Sequence, residues 1–124
     1  MKILFALNSV FESIFALLAI VAPQVVWSAG DALALANGRA SGCGALTVAV
    51  LGILVLRNLD DRKVARVAIG AVLAWHLALT CVEGLAAYQH LAPPPVAIIH
   101  GAFAIAFAVF LVRGRGAGAP APAP

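Results

Sequence analysis

The sequence predicts an all-α integral membrane protein, a four-transmembrane-helix bundle with both termini cytoplasmic. Three observations carry that expectation. Hydrophobic residues make up 64% of the 124 positions and charged ones 10%, against roughly 45–50% and about 25% in an ordinary soluble domain. A chain this short cannot hide so much apolar surface inside one core, so the excess must face lipid. Four apolar runs, about 3–22, 40–56, 64–86 and 96–112, are long enough to span; at ~1.5 Å rise per residue even the shorter two reach roughly 25 Å. Their Ala- and Gly-rich helical periodicity, without ten-residue alternation, favours helices over a β-barrel.

The basic residues give the topology. Lys2, Arg57, Arg62, Lys63, Arg66, Arg113 and Arg115 fall on one side of a four-pass chain and Arg39 on the other. Seven against one places both termini and the middle loop in the cytoplasm, in a bacterial inner membrane. The net charge of +3 is then a topology device, and no basic helix face interleaved with aromatics points to nucleic acid.

In chain order, the first helix runs outward from Lys2 and ends at Pro23. Lys2 before an apolar run and Ala34-Leu35-Ala36 resemble a secretory signal, but Glu12 interrupts the apolar segment and favours a retained helix. Asn8, Ser9, Glu12 and Ser13 share one arc, extended by Ala16 and Ala19. That arc should face protein, because a charged Glu12 in lipid costs about 2.5–3.5 kcal/mol or more. Residues 23–39 are expected to form an outer loop. Trp27 would lie in the interface belt, and Gly30-Asp31 would cap a short surface helix that Asn37-Gly38 ends.

The second helix carries Ser41, Ala45, Ala49 and Gly52, the third Gly70, Ala74 and Ala78, and the fourth Ala97, Gly101, Ala104 and Ala108. Such rows of small residues let helix backbones approach closely in lipid. Asp60 and Asp61 are placed to cap the third helix, and Pro93-Pro94-Pro95 to start the fourth. Residues 1–113 thus form the transmembrane domain. The Gly/Ala/Pro-rich stretch 114–124 reads as a flexible, partly polyproline tail.

Chemistry-bearing residues concentrate between Trp75 and His100, which include all three histidines. His76, Thr80, Glu83, Ala87 and His90 follow a 4-3-4-3 spacing and form one stripe on the third helix. By depth, His100 could meet Glu83, and Glu12 lies near the level of His76. Asn8, Glu12, His76, Thr80, Glu83, His90 and His100 are therefore the candidate intramembrane polar or interface residues. Four roles fit them: interhelical hydrogen-bond glue, a patch facing a partner, a proton path, or axial ligation of haem or chlorophyll by His76 and His100. The last asks for histidines at equal depth, and these two differ by roughly a turn, so no cofactor is expected. Cys43 and Cys81 lie at comparable outer depth and form a candidate thiol pair, although buried, inert thiols are the plainer expectation. There is no C-x-x-C, H-E-x-x-H, G-x-S-x-G or P-loop, and no Cys/His set with metal-ligand spacing. No enzyme activity and no bound metal are expected.

Several features together carry a resemblance. They are Val21-Ala22-Pro23 closing the first helix, Arg39-Ala40-Ser41-Gly42 opening the second, Trp75-His76 in the third, and a Pro-initiated fourth helix ending Phe110-Leu111-Val112-Arg113. The pattern resembles the small four-helix, DoxX-like bacterial membrane proteins, which implies a four-helix bundle and no activity. Glu12 also resembles the mid-helix glutamate of the small multidrug resistance family, which would imply proton-coupled transport. That family's Leu-Lys and Gly-Phe pattern after its first helix is missing here, and its charge bias is weaker. The function expected is that of a non-enzymatic accessory or structural subunit packing against a larger membrane complex of respiratory or photosynthetic type. Its partners would be lipid and other membrane subunits.

Overall fold

The computed structural model describes residues 1–26 and 31–116, with the side chains of 114–116 left out. Among the described residues all regular structure is helical, in the order α1 (Lys2–Val21), α2 (Pro23–Val26), α3 (Ala32–Leu56), α4 (Arg62–Tyr88) and α5 (Pro94–Gly116). Four of these helices, all but α2, are long and apolar enough to cross a membrane, which marks a multi-pass membrane protein. The chain forms two compact units, Met1–Leu59 and Asp60–Pro124, each a helical hairpin.

In the first unit α1 packs along α3. Gly42 lies against Ala16, Ala19 and Ile20, whereas Gly52 lies against Ser9 and Phe5, so the helices run antiparallel. Phe5, Asn8, Ser9, Glu12, Ala16 and Ala19 are buried on α1. Ile3, Leu7, Val10, Ile14, Leu17 and Val21 form the opposite, exposed stripe. Polar and small side chains turn inward and large apolar ones outward. This is the pattern of a helix whose packing rests on close contact and whose outer face meets hydrocarbon. The helix stops because Pro23 has no N–H and its ring disfavours helical backbone at the preceding residue. Ala22 accordingly leaves the helical region at φ −134°, its N–H still donating to the Leu18 carbonyl.

The helix α3 departs from expectation at its start. Asp31 caps it, its carboxylate accepting from the Ala34 N–H at 2.6 Å, but the helix runs unbroken through Asn37-Gly38 to Leu56. The surface helix and the break at residue 38 are therefore both corrected: there is one helix of 25 residues, about 37 Å long. Asn and Gly each weaken a helix interior by only up to ~1 kcal/mol. Ending the helix there would leave several backbone groups without intrahelical partners. Gly38 is itself buried, and the Ser41 hydroxyl donates back to the Asn37 carbonyl. Arg39, expected in a loop, lies exposed within this helix. The small-residue row also shifts by one. Gly42, Ala45, Ala49 and Gly52 are buried, whereas Ser41 is exposed. Trp27 and Gly30 lie outside the described residues.

In the second unit α4 packs along α5. Asp61 caps α4, accepting from the Lys63 and Val64 N–H groups at 2.8 and 3.2 Å. The buried face of α4 is Ala65, Ala68, Ile69, Val72 and His76. The predicted row Gly70-Ala74-Ala78 is not on it. Ala74 and Ala78 are exposed, and a Cβ added at Gly70 meets nothing within 4 Å. The reason is angular: Val72 and Ile69 fill the space beside the neighbouring helix, and a row 100–200° round the helix cannot share it. In α5 the row fares better, with Ala104 buried and Ala97, Gly101 and Ala108 half-buried. This helix begins at Pro94 and continues four residues past the expected end, to Gly116. The predicted tail thus loses 114–116 to helix, and 117–124 lie outside the described residues.

Candidate functional site: a buried histidine pair

The α4–α5 hairpin brings His76 and His100 into direct contact. Their Nδ1 atoms stand 2.9 Å apart, and the residues are 0% and 2% exposed. At that distance one Nδ1–H donates and the other Nδ1 accepts, which makes the rings different tautomers when both are neutral. A difference of roughly one turn in depth, as counted along the chain, thus does not keep the two rings apart. Counting residues compares Cα levels, and a one-turn step is only ~5.4 Å. A ring nitrogen lies far enough from its Cα to close that step. His100 meets His76 across the hairpin.

The rest of the hairpin shapes the pair. The Phe103 ring stacks on His76 with centroids 4.9 Å apart and planes 17° from parallel. Phe107, itself fully buried, lies 6.0 Å away at 11°. The two imidazoles are tilted by 36° at 5.1 Å. One turn on, the Thr80 hydroxyl donates to the His76 carbonyl at 2.7 Å. It is thus satisfied within its own helix, while its methyl group faces Gly101. Phe103 and Phe107 were not singled out in the sequence. The signal was present, since His100, Phe103, Ala104 and Phe107 recur at the three- and four-residue steps that define one helix face.

Asn8 and Glu12, both on α1, are fully buried. Glu83 is half-buried on α4. His90 is off the helix altogether, because α4 ends at Tyr88, so the stripe 76-80-83-87 does not continue through it. His90 instead adopts φ 59°. Its N–H donates to the Ala87 carbonyl, and the Leu91 N–H to the Ala86 carbonyl. This is the Schellman arrangement, with a histidine at the left-handed position that glycine usually fills. His90 therefore serves as a helix terminator. Cys43 and Cys81 are both free thiols and both exposed. The expectation of buried thiols is corrected: each points away from the packed face of its own helix, since that face is set by small residues on α3 and by Val72 and His76 on α4.

What the pair can do follows from its geometry. It can hold one proton on a short N–H···N bond, or present two converging lone pairs to a cation. A haem or chlorophyll ring between the imidazoles would need ligating nitrogens about 4 Å apart, twice a metal–imidazole bond of ~2.0 Å. The pair as folded is roughly 1 Å too close for that. Comparison with protein-family models, curated proteins and solved structures gives no match. The four long apolar helices identify the chain as a small helical membrane protein.

Proposed function

We propose that this chain is a non-enzymatic accessory or structural subunit that packs against a larger membrane complex of respiratory or photosynthetic type. In this reading it is a DoxX-like protein of a bacterial inner membrane with both termini in the cytoplasm, as the distribution of basic residues supports. One observation carries the reading. The Gly70-Ala74-Ala78 row on α4 has the spacing of a close helix–helix contact, yet Ala74 and Ala78 are exposed and a Cβ at Gly70 meets nothing within 4 Å. In lipid, a small-residue row has its value in admitting another helix closely, and a partner helix is the natural occupant.

The test is extraction in a gentle detergent followed by size analysis of the native chain and of Ala74→Leu/Ala78→Leu. The native chain is expected to co-elute with a larger membrane assembly. The double variant should keep its helix content and elute alone. A native chain that runs only as a lone monomer or dimer sinks the proposal.

A second reading, proton-coupled transport in the manner of the small multidrug resistance proteins, is favoured by one feature. Glu12 is fully buried in mid-helix beside Asn8, one turn away on the same face. Proton release on adding a lipophilic cation, compared between the native chain and Glu12→Gln, decides it; identical traces remove this reading. The third reading, histidine-ligated haem or chlorophyll, requires the His76–His100 contact to open, and a colourless preparation excludes it.

A further inference from the structure

We infer that His76 and His100 form a binding site for a soft monovalent d10 cation, Cu(I), held between their two Nδ1 atoms. The inference does not depend on the accessory-subunit reading, because both ligands belong to the α4–α5 hairpin. Three features of the hairpin lead to it.

The first is the bite. With metal–imidazole bonds of ~2.0 Å, two nitrogens at the observed separation subtend an angle of about 90°. Opening the pair by about half an ångström brings that angle near the ~120° of a three-coordinate ion, and a tetrahedral angle needs still less movement. No backbone rearrangement is involved, only a small rotation of two rings that already face each other at 2.9 Å.

The second is the proton balance. In the empty pair one Nδ1 carries the bridging hydrogen. On binding, that hydrogen leaves Nδ1 while the same ring takes a proton at Nε2, so both Nδ1 lone pairs converge on the ion. Both imidazoles stay neutral, no net proton is released, and the site gains the single positive charge of the ion.

The third is the burial of the pair among apolar helices, which disfavours a high charge. The pair is buried and lies within helices long and apolar enough to cross a membrane. The Born cost of burying an ion grows with the square of its charge, so a divalent ion is penalised about four times as heavily as a monovalent one. Cu(I) is content with two or three soft or borderline ligands, imidazole among them. The Phe103 face stacked on His76 adds a polarisable wall and keeps competing water away.

The experiment uses the full chain carrying Cys43→Ser and Cys81→Ser, because the two exposed thiols would otherwise take up Cu(I) themselves. The purified protein in detergent is titrated anaerobically with Cu(I) in ascorbate against a chromogenic Cu(I) chelator. One equivalent per chain is expected to be retained, with affinity falling at least tenfold in His76→Phe or His100→Phe. X-ray absorption at the copper edge of the loaded Cys-free chain should show imidazole scattering with nitrogens near 2.0 Å. That spectrum decides the matter even where a histidine variant misfolds. The inference is overturned if the Cys-free chain retains no Cu(I), if both histidine variants retain it undiminished, if the spectrum lacks imidazole scattering, or if Zn(II) displaces Cu(I) at equal concentration.

Discussion

Replacing Gly42 by alanine probes the α1–α3 contact where it is closest. A Cβ at residue 42 would stand 2.8 Å from the Ala19 Cβ, 2.9 Å from the Ile20 Cγ1 and 3.2 Å from the Ala16 carbonyl oxygen. Carbon atoms pack best at about 3.5–4.0 Å, so the overlap with Ala19 is at least ~0.7 Å. Ile20 can relieve its share by changing rotamer. The Ala19 methyl and the Ala16 carbonyl cannot, because both are fixed to the helix backbone, so the helices must part by about that amount. A gap of 0.5–1 Å forfeits a quarter to a half of each contact's ~0.1–0.2 kcal/mol. Over a few tens of atom pairs along Ala16, Ala19, Ala45 and Ala49, roughly 1–2 kcal/mol is lost, within the ~1–3 kcal/mol seen for overpacked sites. Alanine's better helix propensity returns up to ~1 kcal/mol. Gly70→Ala isolates that return, since a Cβ there meets nothing within 4 Å. The two variants should therefore differ by about 1–2 kcal/mol, Gly70→Ala being the more stable. SDS-driven unfolding in mixed micelles, followed by circular dichroism, measures the difference. Equal stabilities, within ~0.5 kcal/mol, would refute the steric reasoning.

Other outcomes follow from single contacts. His90→Gly should stabilise the chain by about 0.5–1 kcal/mol, because glycine takes the left-handed backbone that His90 holds at φ 59° without a Cβ penalty; the same micellar unfolding reads it, and a loss of stability contradicts the terminator role. Asp61→Ala removes the acceptor of two N–H groups at the start of α4 and should cost about 1 kcal/mol, with faster hydrogen exchange at Lys63 and Val64. His76→Phe and His100→Phe should each be destabilising and, combined, cost less than their sum. The coupling energy should be ~0.6–1.7 kcal/mol, the range of interhelical polar contacts in membranes, and strict additivity would count against the hydrogen bond between them. Gly101→Ala should be nearly neutral, since its Cβ would lie 3.6 Å from the Thr80 methyl, ordinary contact distance.

The small-residue row and the histidine pair occupy different faces of one hairpin. On α4 the small-residue row at 70, 74 and 78 and the histidine at 76 point in different directions round the helix. A partner helix seated on the row therefore need not disturb the pair. Changes at Ala74 and Ala78 are expected to leave copper retention unchanged, and changes at His76 to leave association unchanged. Measured together, the two sets of variants separate assembly from cation binding.

Composition and periodicity by themselves determined four helices long and apolar enough to cross a membrane, and placed the starts of α4 and α5 to within two residues. Those properties follow from local causes. Apolar run length, the Asp61 cap and the Pro94 start all act within one or two turns. The polar arc of α1 was legible for the same reason, because residues three and four apart on one helix must share a face. Where two influences competed, the sequence misled. Asn37-Gly38 is a stop signal in isolation and is overridden because the continuing helix keeps its backbone groups paired. His90 looked like the next step of a stripe but terminates the helix. Which small residues actually pack was decided only by tertiary structure, since α3 uses Gly42 and not Ser41, and α4 uses Ala65, Ala68 and Val72 and not its glycine row. The same holds for the histidine pair. Its formation depends on the register of α5 against α4 and on side chains long enough to close one turn, and neither quantity is written in the spacing of residues along a single helix.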